Sequence, residues 1–390
     1  MSISTGIEKL SQHFEDLTEP RVKRTRWHEL SDMIVIAICA TICGADSWAD
    51  LPAYGKAKLD WLRQFLPLTN GIPSADTFAR VFQRLNPDEF VKCLVSWVES
   101  IRANSSADNN SISEELIGVD GQTLKGSDAA AFGGRGALHL VRAWASQHRM
   151  ALGQQACAEK SNEIEAIPKL LKMLDLEGAT VTIDALGCQK SIAKQIIEQH
   201  GDYVLALKEN HPQLCASVRA AFDHEQAREA HGETPRYKKH VTHDTGHGRR
   251  EERTYYHMPV PADLKGHKAW KGLRSLGLVI RRREIKGVEH YETQYYISSL
   301  KVGVKRLSRA IRSHWSIENN LHWMLDVVFS QDASRIRKAH GPEISSLLRQ
   351  LALMFLQQDT QLSGSIRNKR KQAGWDNRRL EIILLQNSKH

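Results

Sequence analysis

The feature that most constrains the fold is an alternation of two residue patterns between positions 116 and 208. Short apolar stretches typical of buried strands alternate there with amphipathic stretches typical of helices. In order, they predict one strand, a hairpin, a helix, a strand, a helix and a strand. This order is typical of an α/β fold whose sheet contains both parallel and antiparallel strands. Apolar residues make up 41% of the 390 residues, enough for a sizeable core.

The segments on either side of this alternation have other patterns. Composition and helix signals divide the chain into a helical N-terminal domain (1–103), a Ser- and Asn-rich linker (104–115), an α/β domain (116–358) and a basic tail (359–390). Within the α/β domain, residues from about 211 to 300 predict a β-rich insertion, and its last strands are expected to rejoin the main sheet.

Neither a membrane span nor a secretory signal is expected. The longest apolar run, 33–45, is interrupted by Thr41 and Gly44 and is shorter than the roughly 20 residues that cross a bilayer. The first 16 residues contain no apolar core of a signal peptide. We therefore expect a soluble, cytoplasmic protein without membrane partners.

Two aspartates stand at the ends of predicted strands. Asp120 closes the first apolar strand and Asp184 closes a later one, and each is followed by a small residue. Ligands of α/β sheets bind where strands end and loops begin, and carboxylate oxygens suit Mg²⁺ or Mn²⁺. The alternative for each aspartate is a turn cap, the commoner role of a single aspartate in this position.

A third candidate carboxylate is Glu318, within a predicted helix whose apolar face includes Trp315, Ile317 and Leu321. Glu318 and His322 are four residues apart and therefore neighbours on a helix surface. The alternative is an amphipathic helix whose polar face has no chemical role. Together with the two aspartates, Glu318 would complete a trio able to hold two divalent ions, which offset the charge of a phosphodiester.

Several long motifs resemble those of bacterial insertion-sequence DDE transposases, most closely the family associated with the H-repeats of Rhs elements. The motifs are IGVDGQTLKGS (117–127), TIDALGCQ (182–189), ALKENHP (206–212) and HWSIENNLHWMLDVVFSQD (314–332). The segment at 72–87 is similar to the helical DDE-associated domain of that family. The likeness covers roughly residues 10–355.

The resemblance implies a ribonuclease-H-like catalytic core with a β-rich insertion, preceded by an all-α domain. It also implies that Asp120, Asp184 and Glu318 are the catalytic residues and the ligands of two Mg²⁺ or Mn²⁺ ions, with Asp120 contacting both. The sequence departs from the family at Gln122 and Gln331, where Lys and Glu are more frequent. Around the glutamate, a Tyr, Arg and Lys signature of the broader group is replaced by Ile311, His314 and Leu325.

The net charge of +9 is unevenly distributed. Residues 1–235 have a net charge of −7, whereas 236–286 and 301–390 each have +9. Basic clusters neutralise DNA phosphates with little dependence on base sequence. The alternative for any single basic residue is a solvated surface position. Candidate DNA-binding residues are Lys125, Lys238, Lys239, Arg249, Arg250, Arg281, Arg282, Arg283, Arg312, His314, Trp315 and His322.

We therefore expect a transposase that hydrolyses a phosphodiester at the end of a mobile element and then joins the freed 3′-hydroxyl to target DNA. Its partner is double-stranded DNA, and joining two ends implies a homodimer in the DNA complex. Two alternatives share the same trio: a ribonuclease-H-like nuclease that only cleaves, and an inactive DNA-binding remnant of a transposase.

Overall fold

A computed structural model describes residues 3–108, 114–132, 134–157, 162–246, 249–285 and 287–386. The described residues form two compact units. Unit 1 comprises those of 1–112, 121–162 and 318–390, and unit 2 comprises those of 113–120 and 163–317. Each unit therefore combines segments that are far apart in the sequence.

Helices from both ends of the chain build most of unit 1. The N-terminal helices are α1 (Ile3–Gln12), α2 (Leu30–Ile42), α3 (Asp50–Ala57), α4 (Leu59–Leu62), α5 (Ala75–Phe82) and α6 (Pro87–Asp108). The C-terminal helices are α12 (Gly341–Gln358), α13 (Ile366–Trp375) and α14 (Asn377–Gln386). Every residue from Met33 to Ile42 is buried, because α2 packs against α12, α13, α3 and α1. This burial on all sides explains why α2 is apolar around its whole circumference.

Among the described residues, the sheet contains nine strands. They are β1 (Leu116–Leu124), β2 (Leu138–Ala145), β3 (Met150–Cys157), β4 (Thr180–Ile183), β5 (Asp202–Leu207), β6 (Lys238–Gly246), β7 (Arg249–Pro259), β8 (Ser275–Ile285) and β9 (Val288–Ser298). Their order is β3-β2-β1-β4-β5-β9-β8-β7-β6. The predicted α/β class and the predicted hairpin, now β2 and β3, are confirmed.

Parallel pairing is confined to the neighbours β1–β4 and β4–β5 among the strand pairs described here. Two short helices, α7 (Glu163–Lys172) and α8 (Lys190–Glu198), lie along the chain before β4 and between β4 and β5. Crossover helices of this kind are what parallel neighbours require.

The predicted insertion begins with helix α9 (Pro212–Ala230) and continues as the antiparallel strands β6 to β9. Its last strand, β9, pairs with β5, so the expectation that the insertion rejoins the main sheet is confirmed. Val204 of β5, Tyr255 of β7 and Val279 of β8 share one buried cluster with Leu307 and Ile311 of the next helix. This common core makes the insertion part of unit 2.

That next helix, α10 (Val304–Ile317), passes directly into a π-helical turn (Glu318–His322) and then into α11 (Trp323–Val327). Helix α6 extends to Asp108, beyond the predicted start of the linker at 104, and residues 109–113 of that linker lie outside the described residues. Among the described residues, no helix combines the length and the apolar character needed to span a membrane.

Candidate active site

Asp120 and Asp184 are placed by two adjacent parallel strands of unit 2. In the register of β1 with β4, Val119 pairs with Ile183, and the residue that follows each of them in the chain is an aspartate. Asp184 directly follows the last residue of β4, but Asp120 lies within β1, which continues to Leu124, so the prediction that Asp120 closes its strand is wrong. Both aspartates are half-buried there, after strand residues that are buried. The parallel register therefore places side by side the two aspartates that the sequence pattern singled out.

Asp184 also has the turn-capping role that was the alternative for it. Its Oδ1 accepts hydrogen bonds from the backbone N–H groups of Leu186, at 3.0 Å, and Gly187, at 3.2 Å. These bonds orient the carboxylate and use one of its oxygens. The nearby Cys188 thiol is buried, and burial together with the Asp184 charge raises the pKa of this thiol to about 12. Cys188 is therefore an inert neighbour.

Glu318 opens the π-helical turn, and its side chain is exposed while Ile317 and Leu321 beside it are buried. The turn brings Glu318 Oε2 within 3.4 Å of His322 Nδ1. His322 is only 3% exposed, which distinguishes it from a surface residue available for contact with DNA. Trp315, expected on the apolar face, is instead 48% exposed.

Ligand-type atoms of Asp120, Glu318 and His322 lie within 4.8 Å of one another, and we call these residues the carboxylate–histidine cluster. Two carboxylates and an imidazole form a donor set that fits Mn²⁺ well and Mg²⁺ through the carboxylates. Asp184 is not a member of this group. Sequence reasoning assigned His322 to DNA binding and missed its place among the carboxylates. Its spacing of four residues from Glu318 was the available signal.

A buried polar network in unit 1 includes two positions at which the sequence departs from its family. Gln122 Nε2 donates to Asp326 Oδ2 at 2.6 Å, and Gln331 Nε2 donates to Gln122 Oε1 at 3.3 Å. Arg142 Nη1 donates to the same Gln122 oxygen. Burial, followed by the charge of Asp332, raises the pKa of Asp326 to about 6. The glutamines at 122 and 331 are thus in contact with each other, so the two departures concern one network.

Several arginines of the insertion are paired with acids. Arg281 contacts Glu251 at 3.0 Å and Glu292 at 2.9 Å, and its guanidinium lies 5.2 Å from the centre of the Trp315 ring. Arg283 lies 3.7 Å from the same buried Glu251. Arg282 pairs with Glu289, and Arg312 contacts Asp244 at 3.0 Å. These ion pairs engage the arginines at 281–283 with acids, whereas the net charge of +9 of residues 236–286 already includes Glu251 and Asp244.

The remaining predicted DNA-binding residues differ in exposure. Lys238, Lys239 and Arg250 are exposed on β6 and β7, whereas the side chain of Arg249 lies outside the described residues. Lys125 is exposed and contacts Asp332 at 3.2 Å. His314 Nδ1 lies 3.1 Å from the Thr182 hydroxyl, a contact that attaches α10 to β4.

Comparisons with known proteins identify the family of the chain. Residues 11–98 match the family described as DDE_Tnp_1-associated, and residues 112–355 match the Transposase DDE domain. A solved structure titled as a piggyBac transposase synaptic complex with hairpin DNA aligns over 99% of this chain and 76% of its own. The TM-score is 0.37 and the identity 10%, too low to establish a shared fold.

Relatives extend over nearly the whole chain. The "H repeat-associated putative transposase YhhI" of Escherichia coli K12 is 35% identical, covering 97% of this chain and 98% of its own. "Putative transposase YncI" of Escherichia coli O157:H7 is 34% identical over 97% and 95%. "Inactive transposase YbfQ" of strain K12 is 40% identical over 19% of this chain and 89% of its own. Matched in its DDE domain and along its whole length, the chain belongs to the DDE transposases related to the H repeat-associated proteins.

Proposed function

We propose that this transposase uses Asp120, Asp184 and Glu318 to hold two divalent ions beside the β1–β4 pair, where Asp120 lies within β1 and Asp184 follows β4. The observation that carries the proposal is the register of β1 with β4, which aligns both aspartates, together with the carboxylate–histidine cluster. Bound Mg²⁺ or Mn²⁺ would lower the pKa of an attacking water or 3′-hydroxyl and stabilise the leaving oxygen. Without that positive charge, the carboxylates would repel a DNA phosphate.

The residues themselves orient the ligands. The backbone N–H groups of Leu186 and Gly187 hold Asp184 Oδ1, which fixes the direction of its carboxylate. His322 Nδ1 faces Glu318 Oε2 and restrains this exposed side chain in the π-helical turn. Restraint of this kind orients metal ligands.

Two phosphoryl transfers follow from the site. Water attacks a phosphodiester at the element end, which breaks one P–O bond and frees a 3′-hydroxyl. That hydroxyl then attacks a target phosphodiester and displaces a target 3′-oxygen, so the number of phosphodiester bonds is unchanged in the second step. Neither step requires a covalent intermediate with the protein.

The core is proposed to be ribonuclease-H-like. Support comes from the parallel neighbours β1, β4 and β5, the hairpin β2–β3 at one side of them, and the helices α7 and α8. Exposed cations on β6 and β7 are proposed to contact duplex DNA, and two copies of the chain are proposed to hold the two element ends.

The decisive test is strand transfer with pre-cut element-end DNA and Mn²⁺, comparing the wild type with Asp120→Asn, Asp184→Asn and Glu318→Gln. We expect joined product from the wild type and a loss of about 10³-fold or more in each variant, because several kcal/mol of charge stabilisation disappear. Asp60→Asn, at an exposed carboxylate, is the matched control.

The alternatives predict other products. Hydrolysed DNA without joined product would identify a nuclease that only cleaves, and no product from the wild type would identify a remnant. Full strand transfer by any one of the three carboxylate variants would remove that residue from the proposed site.

A further inference from the structure

A cavity of about 810 Å³ in unit 1 is separate from the carboxylates described above. Its volume lies within the range of pockets that bind small organic molecules, about 300–1,000 Å³. Four segments line it: the turn before α3, Gln83 directly after α5, the loop that follows β1, and the loop that follows α11. The lining residues used below are Asp46, Trp48, Arg135, Arg335, Arg337 and Lys338.

The loop after α11 is anchored at both ends, so its cations have defined positions. At its start, a side chain at Gly126 would clash with the carbonyl oxygens of Asp332 and Ser334, which shows how closely the loop packs there. Arg337 Nε donates to the Gly126 carbonyl oxygen at 3.0 Å. At the other end, the His340 N–H donates to the Gln83 carbonyl oxygen at 3.3 Å. The fold thus holds this loop against the cavity.

The cavity is positively charged. Arg135, Arg335 and Lys338 are exposed at its rim, and Arg337 is half-buried. Asp46 is the carboxylate of the lining, and it lies 3.5 Å from Arg370. Arg135 also interacts electrostatically with Glu343. Even with these acids the rim has a surplus of cations, in contrast to the paired arginines of the insertion.

An aromatic group with an unused donor lines the same cavity. Trp48 packs against Phe82 with 5.2 Å between ring centres. Its Nε1 is buried and has no hydrogen-bond partner among the described residues. A buried donor of this kind costs free energy unless a ligand or a water accepts its hydrogen bond. The cavity therefore combines cations for phosphates with an aromatic surface and a donor for a base.

We infer that this cavity binds one nucleotide of an unpaired DNA strand, with its phosphates at the cationic rim and its base beside Trp48. A base inside a duplex is stacked and cannot enter a concave pocket, so the ligand is single-stranded or locally unpaired. This inference rests on the proposed function, because it takes DNA to be the substrate. It adds the cavity as a second contact with that DNA.

The test measures binding of the full-length protein to fluorescein-labelled oligonucleotides by anisotropy, in EDTA and at several NaCl concentrations. One probe is single-stranded and the other is its duplex. Arg335→Ala/Lys338→Ala should weaken single-strand binding about tenfold. The slope of log K against log salt should also become shallower by about 1.4, since each phosphate contact in a single strand contributes roughly 0.7.

Two further variants complete the design. Trp48→Phe keeps the ring and removes the N–H, so it should weaken single-strand binding several-fold and leave the salt slope unchanged. Lys56→Ala/Arg63→Ala removes the same charges at exposed positions outside the cavity lining and should bind like the wild type. Circular dichroism checks that each variant is folded.

Unchanged affinity in Arg335→Ala/Lys338→Ala, or an equal loss for duplex and single strand, would overturn the inference. Strand transfer by the wild type is measured separately. If the wild type transfers strands normally and Arg335→Ala/Lys338→Ala binds single strands as tightly as the wild type, only the inference about the cavity is rejected. If the wild type binds single strands through the cavity but transfers none, only the proposed function is rejected.

Discussion

At the scale of residues, the carboxylates and their histidine neighbour show which site residues a local sequence pattern can predict. Asp120 and Asp184 could be proposed from the sequence because each follows a short apolar stretch, and the parallel register of β1 with β4 places them side by side. His322 could not be assigned in the same way. Its burial and its contact with Glu318 depend on a π-helical turn, whereas its residue type and position fitted a DNA contact equally well.

Asp326 provides a prediction on stability against pH. The pKa of Asp326 is raised to about 6 in the folded protein, whereas the pKa of an aspartate in the unfolded chain is about 4. Between these two pH values the folded protein holds a proton that the unfolded chain has released. Stability from this group is therefore present at low pH and is lost as pH rises through about 4 to 6. Asp326→Asn removes this loss. As pH rises from 4 to 7, the free energy of unfolding of this variant should therefore increase relative to that of the wild type by about 1–2 kcal/mol, a value reduced for solvent screening.

Urea unfolding in EDTA at both pH values measures this difference. Asp60→Asn, at an exposed carboxylate, serves as the control and should show little change with pH. A stability difference between Asp326→Asn and the wild type that is the same at pH 4 and 7 would show that the ionised form is well tolerated in the folded protein.

At the scale of elements, the π-helical turn was not predicted. Ile317, Leu321 and Leu325 are all buried, and they are spaced by four residues each. In a regular α-helix with 3.6 residues per turn, such a series drifts around the helix by about 40° at each step. A π turn, with its i→i+5 hydrogen bonds, rotates less per residue and keeps the series on one face. The same turn directs Glu318 outward.

The segment predicted as a basic tail contains α13 and α14, and its cations have two different environments. Lys369 is buried and contacts Asp359 at 3.0 Å, whereas Arg378 is exposed. Lys369→Ala should destabilise the protein by about 3 kcal/mol, because it leaves a buried carboxylate without its counter-charge. Arg378→Ala should change stability by less than about 0.5 kcal/mol.

Denaturant unfolding of both variants in the same buffer checks this pair. Equal and small effects would mean that the Lys369–Asp359 ion pair contributes little net stability. Equal and large effects would mean that α14 depends on Arg378 in a way that its exposure does not suggest.

At the scale of the whole molecule, the proposed dimer leads to a prediction on stoichiometry. Joining two element ends at one target requires two sets of carboxylates, and each chain contributes one. With paired element-end DNA and Asp120→Asn, which halts the reaction, light scattering should find two chains of 44.1 kDa in each complex. A complex with one chain for each pair of ends would reject the dimer.

The sequence by itself determined the α/β class, the hairpin, the return of the insertion to the sheet, and the family, because these depend on local periodicity and on long contiguous motifs. Only the tertiary structure decided which charges are available. The arginines at 281–283 form one basic run in the sequence, yet Glu251 and Glu289 lie opposite or beside them across β7, β8 and β9. These contacts depend on which strands pair and in which register, and the spacing of residues along the sequence does not specify that pairing.

Contacts between segments that are distant in the sequence also form the helical unit and the cavity. Helices from the two ends of the chain meet at α2 and α12, and the cavity cations come from loops about 200 residues apart. Burial of apolar surface favours such contacts between distant segments, and no local pattern specifies which segments meet. The sequence therefore predicted the chemistry of single positions, whereas the fold was needed to show which positions combine into a site.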